Sequence, residues 1–371
     1  MTPSVLIVAG EPSGDLHAGA LVRALKMSGI DMDLWGLGGD RLRAEGARLL
    51  YDVRQTAVMG FVEVLRHLGL FRRIWRDVMD EVERCPPTIA LLVDYPGFNL
   101  RLAPELKRRG VRVVYFICPQ VWAWHRSRIR RMVRCVDRMI SIFPFEPAVF
   151  EGTGLRIDYV GHPFLDEILE PAKPPADGPL LLLPGSRPME IRRMLPVLAE
   201  AARRLRAERP GLQAIVAAAD EEGAALCRRI LGSDAGIVEV VAGRTRHLLG
   251  LARAAWITSG TATLEAALAG CPQVIAYRAH PLSYLLGRLL IRVPFIGMVN
   301  LVAGRRLCPE LIQGRATPGH LVRELRPLLG DTAERRNMLD GYREVRRRLG
   351  PPGAARRAAG IVREELAAAA R

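Results

Sequence analysis

Short apolar runs alternate with segments of helical composition along almost the whole chain, and this alternation limits the folds available to it. The runs lie at 4–9, 32–37, 89–93, 111–117, 139–143 and 157–160 in the first half, and at 180–183, 213–218, 238–241, 255–258 and 273–277 in the second. Strands that alternate with helices in this way pair in parallel. The pattern therefore predicts an α/β protein built from doubly wound parallel sheets.

A proline-rich stretch divides this pattern into two halves. Residues 170–179 contain four prolines, which neither a helix interior nor a central strand accommodates. With 371 residues the chain is long enough for two separate hydrophobic cores. We predict a first domain over residues 1–170, a linker over 171–179 and a second domain over 180–344. The remaining residues, 345–371, are helical by composition.

The charge of the chain is large and uneven. The net charge is +15, of which +13 falls on residues 173–371 with their 31 basic and 18 acidic residues, and this surplus suggests a polyanionic partner. Only three of the 54 basic residues are lysine, so codon usage that favours arginine is an alternative source. The arginines form no helix-turn-helix or ribonucleoprotein pattern, which disfavours a nucleic-acid-binding protein.

The sequence does not support several other classes of protein. No basic region precedes the first apolar run, so no export signal is predicted. The longest apolar stretch, 282–302, is interrupted by Arg288 and Arg292 and falls short of the about 18 apolar residues that span a bilayer. The cysteines form no CxxC pair, and HExxH, GKS/T and GxSxG motifs are missing, so neither metal nor covalent catalysis is predicted.

Two loops of the first half follow predicted strands and carry polar side chains. The loop after the run at 4–9 lets an anion or sugar approach the backbone, and it contains Glu11, Ser13, Gly14, Asp15 and His17. Asp94 follows the run at 89–93, at the sheet edge where open α/β folds bind ligands. It is a candidate general base, because partial burial raises a carboxyl pKa. A tight connection and a helix-capping aspartate are the alternatives.

A third loop, 119–125, contains two tryptophans and a histidine. Trp122 and His125 are candidates for contact with a sugar, since an indole combines a flat apolar face with a polar N–H. Packing in the core is the alternative. Six arginines follow between Arg126 and Arg138, and they either bind phosphate or cover a solvated helix face.

The second half carries two small-residue turns directly after predicted strands. The first turn offers backbone donors and the guanidinium of Arg187, which suit a diphosphate. The second opens a helix whose positive end attracts phosphate, with Glu265 placed to accept hydrogen bonds from ribose hydroxyls. Helix capping is the alternative, but two such turns in one domain favour a nucleotide site. The residues are Gly185, Ser186 and Arg187, and Ser259, Gly260, Thr261 and Glu265.

Residues 61–79 combine apolar residues at helical spacing with arginines. Such a helix binds a membrane interface when its apolar side faces lipid and its arginines reach the phosphates. Packing against the protein core is the usual alternative. The candidate membrane contacts are Phe61, Leu65, Leu68, Phe71 and Trp75. Residues 284–298 form a second apolar and basic candidate.

Taken together, these motifs resemble those of the lipid-A-disaccharide synthase family over nearly the whole chain. In the first half they are AGEPSGD (9–15), GLGG (36–39), AVMGFVEV (57–64), DYPGFN (94–99), PQVWAW (119–124) and GHP (161–163). In the second they are LPGSR (183–187), SGTATLE (259–265) and NLVAGR (300–305). The resemblance implies a glycosyltransferase-B fold, in which two Rossmann-like domains face each other across a cleft and the last helices pack back on the first domain.

The resemblance also implies the reaction. UDP-2,3-diacylglucosamine and 2,3-diacylglucosamine 1-phosphate (lipid X) condense to the β-1,6-linked lipid A disaccharide 1-phosphate plus UDP, by a metal-independent inverting displacement. Asp94 matches the proposed catalytic aspartate of the family, and Arg187 matches its diphosphate-binding arginine. The implied donor residues are Gly185, Ser186, Arg187, Ser259, Gly260, Thr261, Glu265 and Asn300. The implied acceptor residues are Glu11, Ser13, Gly14, Asp15, His17, Trp122 and His125.

Because both implied substrates are acylated, the resemblance further implies a cytoplasmic enzyme attached peripherally to the inner membrane. No cofactor and no nucleic-acid partner are expected. One alternative is another UDP-sugar enzyme of the same architecture, such as the UDP-GlcNAc transferase of peptidoglycan synthesis. The implied enzyme differs from it because its release of UDP depends on lipid X. The other is a non-catalytic membrane scaffold, which would keep its function after Asp94→Ala.

Overall fold

The computed structural model of the protein describes residues 2–56, 68–123, 127–168, 177–232, 236, 238–280, 284, 285, 287 and 293–369. The strands are β1 (Ser4–Ala9), β2 (Asp33–Gly38), β3 (Arg48–Asp52), β4 (Ile89–Val93), β5 (Arg112–Phe116), β6 (Arg138–Ser141), β7 (Ile157–Tyr159), β8 (Leu180–Leu183), β9 (Ala214–Ala218), β10 (Glu239–Ala242), β11 (Ala254–Thr258), β12 (Gln273–Tyr277) and β13 (Glu310–Ile312).

The helices of the first half are α1 (Pro12–Met27), α2 (Asp40–Ala44), α3 (Val53–Thr56), α4 (Leu68–Arg84), α5 (Pro96–Arg108), α6 (Ser127–Cys135), α7 (Glu146–Val149) and α8 (Phe164–Glu167). Those of the second half are α9 (Pro188–Glu208), α10 (Glu221–Leu231), α11 (Thr245–Leu251), α12 (Ala262–Leu268), α13 (Met298–Ala303), α14 (Pro318–Leu325), α15 (Ala333–Arg348) and α16 (Ala354–Ala369). Short 3-10 helices lie at Gln313–Arg315 and Arg326–Leu329.

The chain divides into two units, each built on one parallel sheet. Unit 1 contains residues 1–166 and 350–371, and unit 2 contains residues 167–349. The sheet of unit 1 has the order β3-β2-β1-β4-β5-β6-β7, and that of unit 2 the order β10-β9-β8-β11-β12-β13. All of these neighbours pair in parallel. The predicted α/β class with two doubly wound parallel sheets is confirmed.

The central strands of unit 1 show why the sequence contains continuous apolar runs. β1 and β4 pair with Val5 opposite Ile89 and Ala9 opposite Val93. Every residue from Val5 to Ala9, and every residue of β4, is buried. Helices cover both faces of a parallel sheet, so its central strands bury the side chains of both faces.

The eleven predicted strands are present, whereas β3 and β13 were not predicted. Both lie at a sheet edge. β3 is exposed at Arg48 and half-buried along the rest of its length, and β13 has only three residues. An edge strand has a neighbour on one side alone, so its sequence does not need the apolar run that reveals a central strand.

Both sheets contain a point at which the direction of strand addition reverses. In unit 1, β2 and β3 lie on one side of β1 and β4 lies on the other, so this switch point is between β1 and β4. In unit 2 it is between β8 and β11. Loops that leave the carboxyl ends of two such strands diverge and open a crevice that binds ligands. Four of the five loops that the sequence marks as candidate sites follow these four strands, and the fifth, at 119–125, follows β5.

The last helix, α16, belongs to unit 1. It packs against α1 and also contacts β5 and β6. Arg138 of β6 exposes only 2% of its side chain and forms ion pairs with Asp158, Glu364 and Glu365. A buried guanidinium requires such partners, because the loss of hydration is otherwise uncompensated. This ion-pair cluster fixes α16 on the sheet.

We expect Arg138→Met to lower the free energy of unfolding by about 3 kcal/mol, because it leaves the buried carboxylate of Glu365 without one of its partners. The shift of the urea unfolding midpoint of the full chain measures this effect. Arg336→Gln is the control, because Arg336 pairs with Asp331 in solvent. Equal midpoints for the two variants would contradict a role of Arg138 in holding α16.

Candidate functional site

The candidate active site of unit 1 lies at the switch point between β1 and β4. β4 ends at Val93, and Asp94 and Tyr95 follow with φ angles of 45° and 48° before α5 begins at Pro96. A non-glycine residue in the left-handed region costs about 1–2 kcal/mol and persists only where the surrounding structure holds it. Asp94 and Tyr95 therefore form a strained elbow at the carboxyl edge of the sheet.

Hydrogen bonds from neighbouring elements hold this elbow. The N–H of Asp94 donates to the carbonyl of Phe116 on β5 at 2.9 Å. The carbonyl of Asp94 accepts from Asn99 Nδ2 of α5 at 2.8 Å and from the Tyr115 hydroxyl of β5 at 2.6 Å. Asn99 and Tyr115 are fully buried. The backbone of Asp94 is therefore fixed by β5 and α5 together.

The surroundings of Asp94 change its acidity. Burial, the main cause, and the negative charge of Glu11 raise the pKa of the Asp94 carboxyl to about 7, while the backbone N–H of Tyr95 acts in the opposite direction. Near neutral pH the carboxyl therefore exists in both protonation states, as a general base requires. The titratable and charged groups around it are Glu11, Tyr95, Tyr115, Cys118, Arg128 and Glu146.

A cavity of about 140 Å³ opens beside the elbow. It is lined by Asp94 and Pro96, by Pro119, Gln120 and Val121 of the loop after β5, and by Arg128 of α6. A carboxyl that titrates near neutral pH and a guanidinium therefore border the same small space. This combination provides both a proton acceptor and a fixed positive charge.

The loop after β1 lies against the elbow. A Cβ at Gly10 would collide with the ring of Tyr95, so this contact requires glycine. Glu11 is half-buried and raises the pKa of Asp94. The other predicted acceptor residues here are Ser13, which is exposed, Gly14, which is buried, and His17, which is half-buried. The structure thus brings Glu11 together with Asp94, and the acceptor contacts of the others stay predictions.

Asp15 caps the start of α2. It is buried, and its carboxylate accepts hydrogen bonds from the backbone N–H groups of Gly39 at 2.7 Å, Arg41 at 3.0 Å and Leu42 at 3.2 Å. These donors surround the start of α2, where backbone N–H groups lack partners within the helix. Asp15 therefore has a structural role, and its contact with the acceptor stays a prediction.

Trp122 also belongs to the packing of unit 1. Its buried ring lies edge-on to Phe145 with the centroids 4.9 Å apart, and its indole N–H donates to Glu146 at 3.2 Å. The core alternative thus describes the packing of Trp122, and its sugar contact stays a prediction. His125, the other candidate on this loop, lies outside the described residues.

Glu146 and His162 are buried titratable residues to which the sequence assigned no role. Burial raises the pKa of Glu146 to about 8 and lowers the pKa of His162 to about 3. Near neutral pH, Glu146 is therefore mostly protonated and His162 is neutral. The N–H of Phe164 donates to Nδ1 of His162 at 3.2 Å, which places the imidazole proton on Nε2.

The candidate site of unit 2 begins at the turn after β8. Gly185 has a φ of 104°, and a Cβ there would lie 2.7 Å from the Cβ of Glu190, so the turn requires glycine. Arg187 precedes α9 and exposes 61% of its side chain. Its guanidinium lies 3.9 Å from the Glu190 carboxylate, beyond hydrogen-bond distance. Arg187 thus presents its donors to solvent at the carboxyl edge of the sheet.

The second turn of this site follows β11, the neighbour of β8. Ser259 donates its hydroxyl hydrogen bond to the carbonyl of Ile296 at 2.8 Å, while Gly260 and Thr261 are exposed. Glu265 accepts a hydrogen bond from Arg246 Nε at 2.9 Å. A carboxylate has about four acceptor positions, so this ion pair leaves capacity for another donor.

Asn300 is held by hydrogen bonds within unit 2. It is fully buried, and its amide donates to the carbonyl of Cys308 at 2.9 Å and to Glu310 at 2.8 Å. Its oxygen accepts from the N–H groups of Leu307 at 2.9 Å and Cys308 at 2.8 Å. All four hydrogen-bonding positions of the amide are occupied. Asn300 therefore has a structural role, and the donor contact that the resemblance implies stays a prediction.

The membrane candidates are described in part. Phe71 and Trp75 of α4 are half-buried and pack against the core of unit 1, with Trp75 edge-on to Phe98 at 5.7 Å. Phe61 and Leu65 lie outside the described residues, as does the side chain of Leu68. In the second candidate segment, Leu285 exposes 60% of its surface. None of the described helices combines the length and apolar character needed to cross a bilayer.

The sequence missed several residues of the unit 1 site. Tyr95 and Asn99 lie within the motif around Asp94, but spacing alone gave them no role. Tyr115 stands on the strand next to β4, and only the sheet order brings its hydroxyl to the elbow. Gln120 lines the cavity through tertiary packing, as does Arg128 from the arginine run for which the sequence left phosphate binding open. In the described part of the chain, no group of three or more His, Cys, Asp or Glu side chains is arranged to hold a metal ion.

Comparison with known sequences gives a consistent result. The profile of the lipid-A-disaccharide synthetase family matches residues 5–362. The chain is 44% identical over 378 residues to the lipid-A-disaccharide synthase of Myxococcus xanthus, with 98% of each chain covered. It is 38% identical over 376 residues to that of Geobacter sulfurreducens, covering 98% of this chain and 97% of the relative.

Comparison with solved structures identifies the fold. A crystal structure of the glycotransferase of kitacinnamycin matches with a TM-score of 0.65 at 15% identity, covering 98% of this chain and 99% of that one. The S. aureus MnaA–UDP co-structure matches with a TM-score of 0.68 at 13% identity, covering 99% and 97%. At these identities the likeness concerns the fold, which is of the glycosyltransferase-B type.

We expect Asp94→Asn to stabilise the protein by about 4 kcal/mol at pH 8 and by less than half as much at pH 5. The folded-state pKa of about 7 exceeds the ordinary value of 3.8, so the folded form binds more protons between these values, and the native protein loses stability as the pH rises through them. The side chain of asparagine does not titrate, so the variant avoids this loss of stability. Urea unfolding of both proteins at the two pH values measures it, and equal effects at both would show that Asp94 titrates normally.

Proposed function

The chain belongs to the lipid-A-disaccharide synthase family, and we propose that it transfers 2,3-diacylglucosamine from UDP-2,3-diacylglucosamine to the 6-hydroxyl of 2,3-diacylglucosamine 1-phosphate. The products are UDP and the β-1,6-linked lipid A disaccharide 1-phosphate. The observation that carries the proposal is the strained elbow, which presents a carboxyl with a pKa of about 7 at a switch point and beside a cavity. Family membership suggests the substrate class, and the elbow provides the chemistry.

In the proposed reaction, the acceptor displaces UDP in one step. O6 of the acceptor attacks C1 of the donor sugar on the face opposite the diphosphate. The bond between C1 and the diphosphate oxygen breaks, and the departing oxygen keeps the electron pair. The Asp94 carboxylate takes the proton from O6 as the new bond forms. One displacement at an α-linked C1 inverts it to the β product, so a single base is sufficient.

The acidity of Asp94 supports its assignment as this base. An alcohol is a weak acid, and a carboxylate with an ordinary pKa near 4 is a correspondingly weak proton acceptor. Raising the pKa to about 7 strengthens the base while leaving a large ionised fraction near neutral pH. Burial and Glu11 produce this shift, so Glu11 is assigned a supporting role through its charge.

The turns of unit 2 support a donor site. Arg187 is exposed at the end of β8, where its planar guanidinium can pair with two oxygens of a diphosphate. A fixed cation there offsets the charge that develops on the departing UDP, without a metal ion. We assign Gly185, Ser186, Gly260 and Thr261 to phosphate contacts through exposed backbone and hydroxyl groups, and Glu265 to the ribose. The hydroxyl of Ser259 is already bonded to a backbone carbonyl, which leaves its N–H for the donor.

The acylated substrates point to a membrane surface as the place of reaction. We propose that the protein attaches peripherally to the cytoplasmic side of the inner membrane. Support comes from α4, where Phe71 and Trp75 keep part of their surface exposed and Arg72, Arg73 and Arg76 are exposed between and beside them. Aromatic rings and arginines are the side chains that favour the headgroup region of a bilayer.

Two substitutions separate the roles of base and donor binding. Asp94→Asn should lower kcat by at least about 100-fold and leave the Kd for UDP unchanged, because it removes the proton acceptor alone. Arg187→Gln should raise the Kd for UDP by about 10- to 100-fold, because it removes charge-assisted hydrogen bonds to the diphosphate. Product formation from the two acylated sugars and calorimetric titration with UDP provide the measurements.

The matched controls are Asp40→Asn and Arg204→Gln, which alter an exposed aspartate of α2 and an exposed arginine of α9. Both should behave like the native protein. If Asp94→Asn retained the transfer activity, Asp94 would not be the base. An unchanged affinity of Arg187→Gln for UDP would remove the donor assignment.

Tyr115→Phe tests whether the elbow positions the base. The variant keeps the ring but removes a hydrogen bond to the Asp94 carbonyl, so we expect kcat to fall about tenfold with an unchanged KM for the donor. A relaxed elbow also hydrates Asp94 better. The acidic limb of the kcat profile, which we expect near pH 7 for the native protein, should therefore move to lower pH.

Tyr342→Phe is the control for this test. Tyr342 is a buried tyrosine of unit 2, and its hydroxyl contacts Gln273 and Cys308 instead of the elbow. Its loss should leave the pH profile in place even where stability falls. A pH profile of Tyr115→Phe that coincides with that of Tyr342→Phe would show that Tyr115 has a structural role only.

A further inference from the structure

We infer that Arg128 binds the phosphate of the acceptor and thereby selects a 1-phosphorylated sugar for the position next to Asp94. The inference rests on the proposed function, and it assigns a residue to a part of the substrate that the preceding assignments leave without a partner. Its basis is one juxtaposition: Arg128 and Asp94 line the same cavity in unit 1.

Arg128 differs from the other arginines of its helix. α6 also carries Arg130, Arg131 and Arg134, and these three are exposed. Arg128 is half-buried and lines the cavity beside the elbow. Charge runs on a helix usually cover a solvated face, and the three exposed arginines fit that description. The position of Arg128 fits a cation directed to a ligand.

The cavity is too small to enclose the whole acylated acceptor, so we assign it to the sugar headgroup. About 140 Å³ is roughly the volume of four or five water molecules, well below the volume of about 300 Å³ or more that encloses a drug-sized ligand. A phosphate and the adjoining edge of one pyranose ring fill such a space. The acyl chains at positions 2 and 3 must therefore lie outside it.

The chemistry of the acceptor explains why a base and a cation share one cavity. C1, which carries the phosphate, and C5, which carries the C6 hydroxymethyl group, are both bonded to the ring oxygen. The reacting hydroxyl and the phosphate therefore lie on the same edge of the acceptor ring. Because Asp94 and Arg128 line the same cavity, we place O6 at the carboxylate and the phosphate at the guanidinium.

The local charge makes a cation necessary. Asp94 and Glu11 both place negative charge at this edge. The charge of Glu11 raises the pKa of Asp94, and both charges would repel a phosphate. A guanidinium at the cavity wall offsets that repulsion and offers a fork of N–H donors to phosphate oxygens. The exposed amide of Gln120 on the facing loop adds a neutral donor.

A binding experiment tests the assignment without turnover. The native protein, Arg128→Gln, Arg128→Lys and Arg130→Gln are titrated in mixed detergent micelles with 2,3-diacylglucosamine 1-phosphate and with its unphosphorylated analogue. We expect Arg128→Gln to weaken binding of the phosphorylated sugar by about 10- to 100-fold and to leave binding of the analogue within about twofold. Arg128→Lys should recover part of the loss, and Arg130→Gln should match the native protein.

Three results would overturn the inference. The first is that Arg128→Gln loses the same affinity for both sugars, and the second is that it prefers the phosphorylated sugar as strongly as the native protein does. The third is a raised Kd for UDP in Arg128→Gln, which would place the residue at the donor. Circular dichroism shows whether both variants fold. If Arg128→Gln does not fold, the affinities of Arg128→Lys for the two sugars are compared with those of the native protein instead. Turnover of the native protein with both substrates is measured separately, so a failure of the proposed function is distinguished from a failure of the Arg128 assignment.

Discussion

The hydrogen bonds on the carbonyl of Asp94 are the interaction on which the candidate site depends. Asp94 and Tyr95 occupy a backbone region that L-residues avoid, and buried groups from β5 and α5 hold them there. The missing side chain of Gly10 makes room for the Tyr95 ring. Three separate elements thus converge on the two residues of the elbow. Because these elements pack around the centre of a parallel sheet, the rigidity of the core extends directly to the reacting group.

The fold was accessible from the sequence because central strands of a parallel sheet are apolar on both faces. Every predicted strand is present, and the two that were missed lie at sheet edges, where coverage is incomplete. The position of Asp94 was also accessible, because the residue after a central strand lies at the carboxyl edge wherever the sheet is doubly wound. The sequence pattern thus located the edge but could not describe how the residues there interact.

Asp15, Trp122 and Asn300 show what spacing along the chain leaves open. They are polar or amphipathic residues in the motifs of the candidate sites, and all three turn inward to contact backbone donors, a buried glutamate or neighbouring carbonyls. Spacing along the chain does not show which way such a side chain turns. Tyr115 illustrates the converse, since a residue without a motif of its own reaches the site through sheet order.

The return of α16 to unit 1 has a consequence for biosynthesis. The chain leaves unit 1 at residue 166 and re-enters it at residue 350, so roughly 180 residues are translated in between. At about 5–20 residues per second this takes roughly 10 to 40 s. Throughout that interval the surfaces of α1 and β5 that α16 covers are open, and Arg138 lacks Glu364 and Glu365. The first unit to leave the ribosome is thus the last to be completed, and the speed of elongation sets how long its unfinished face is exposed to chaperones.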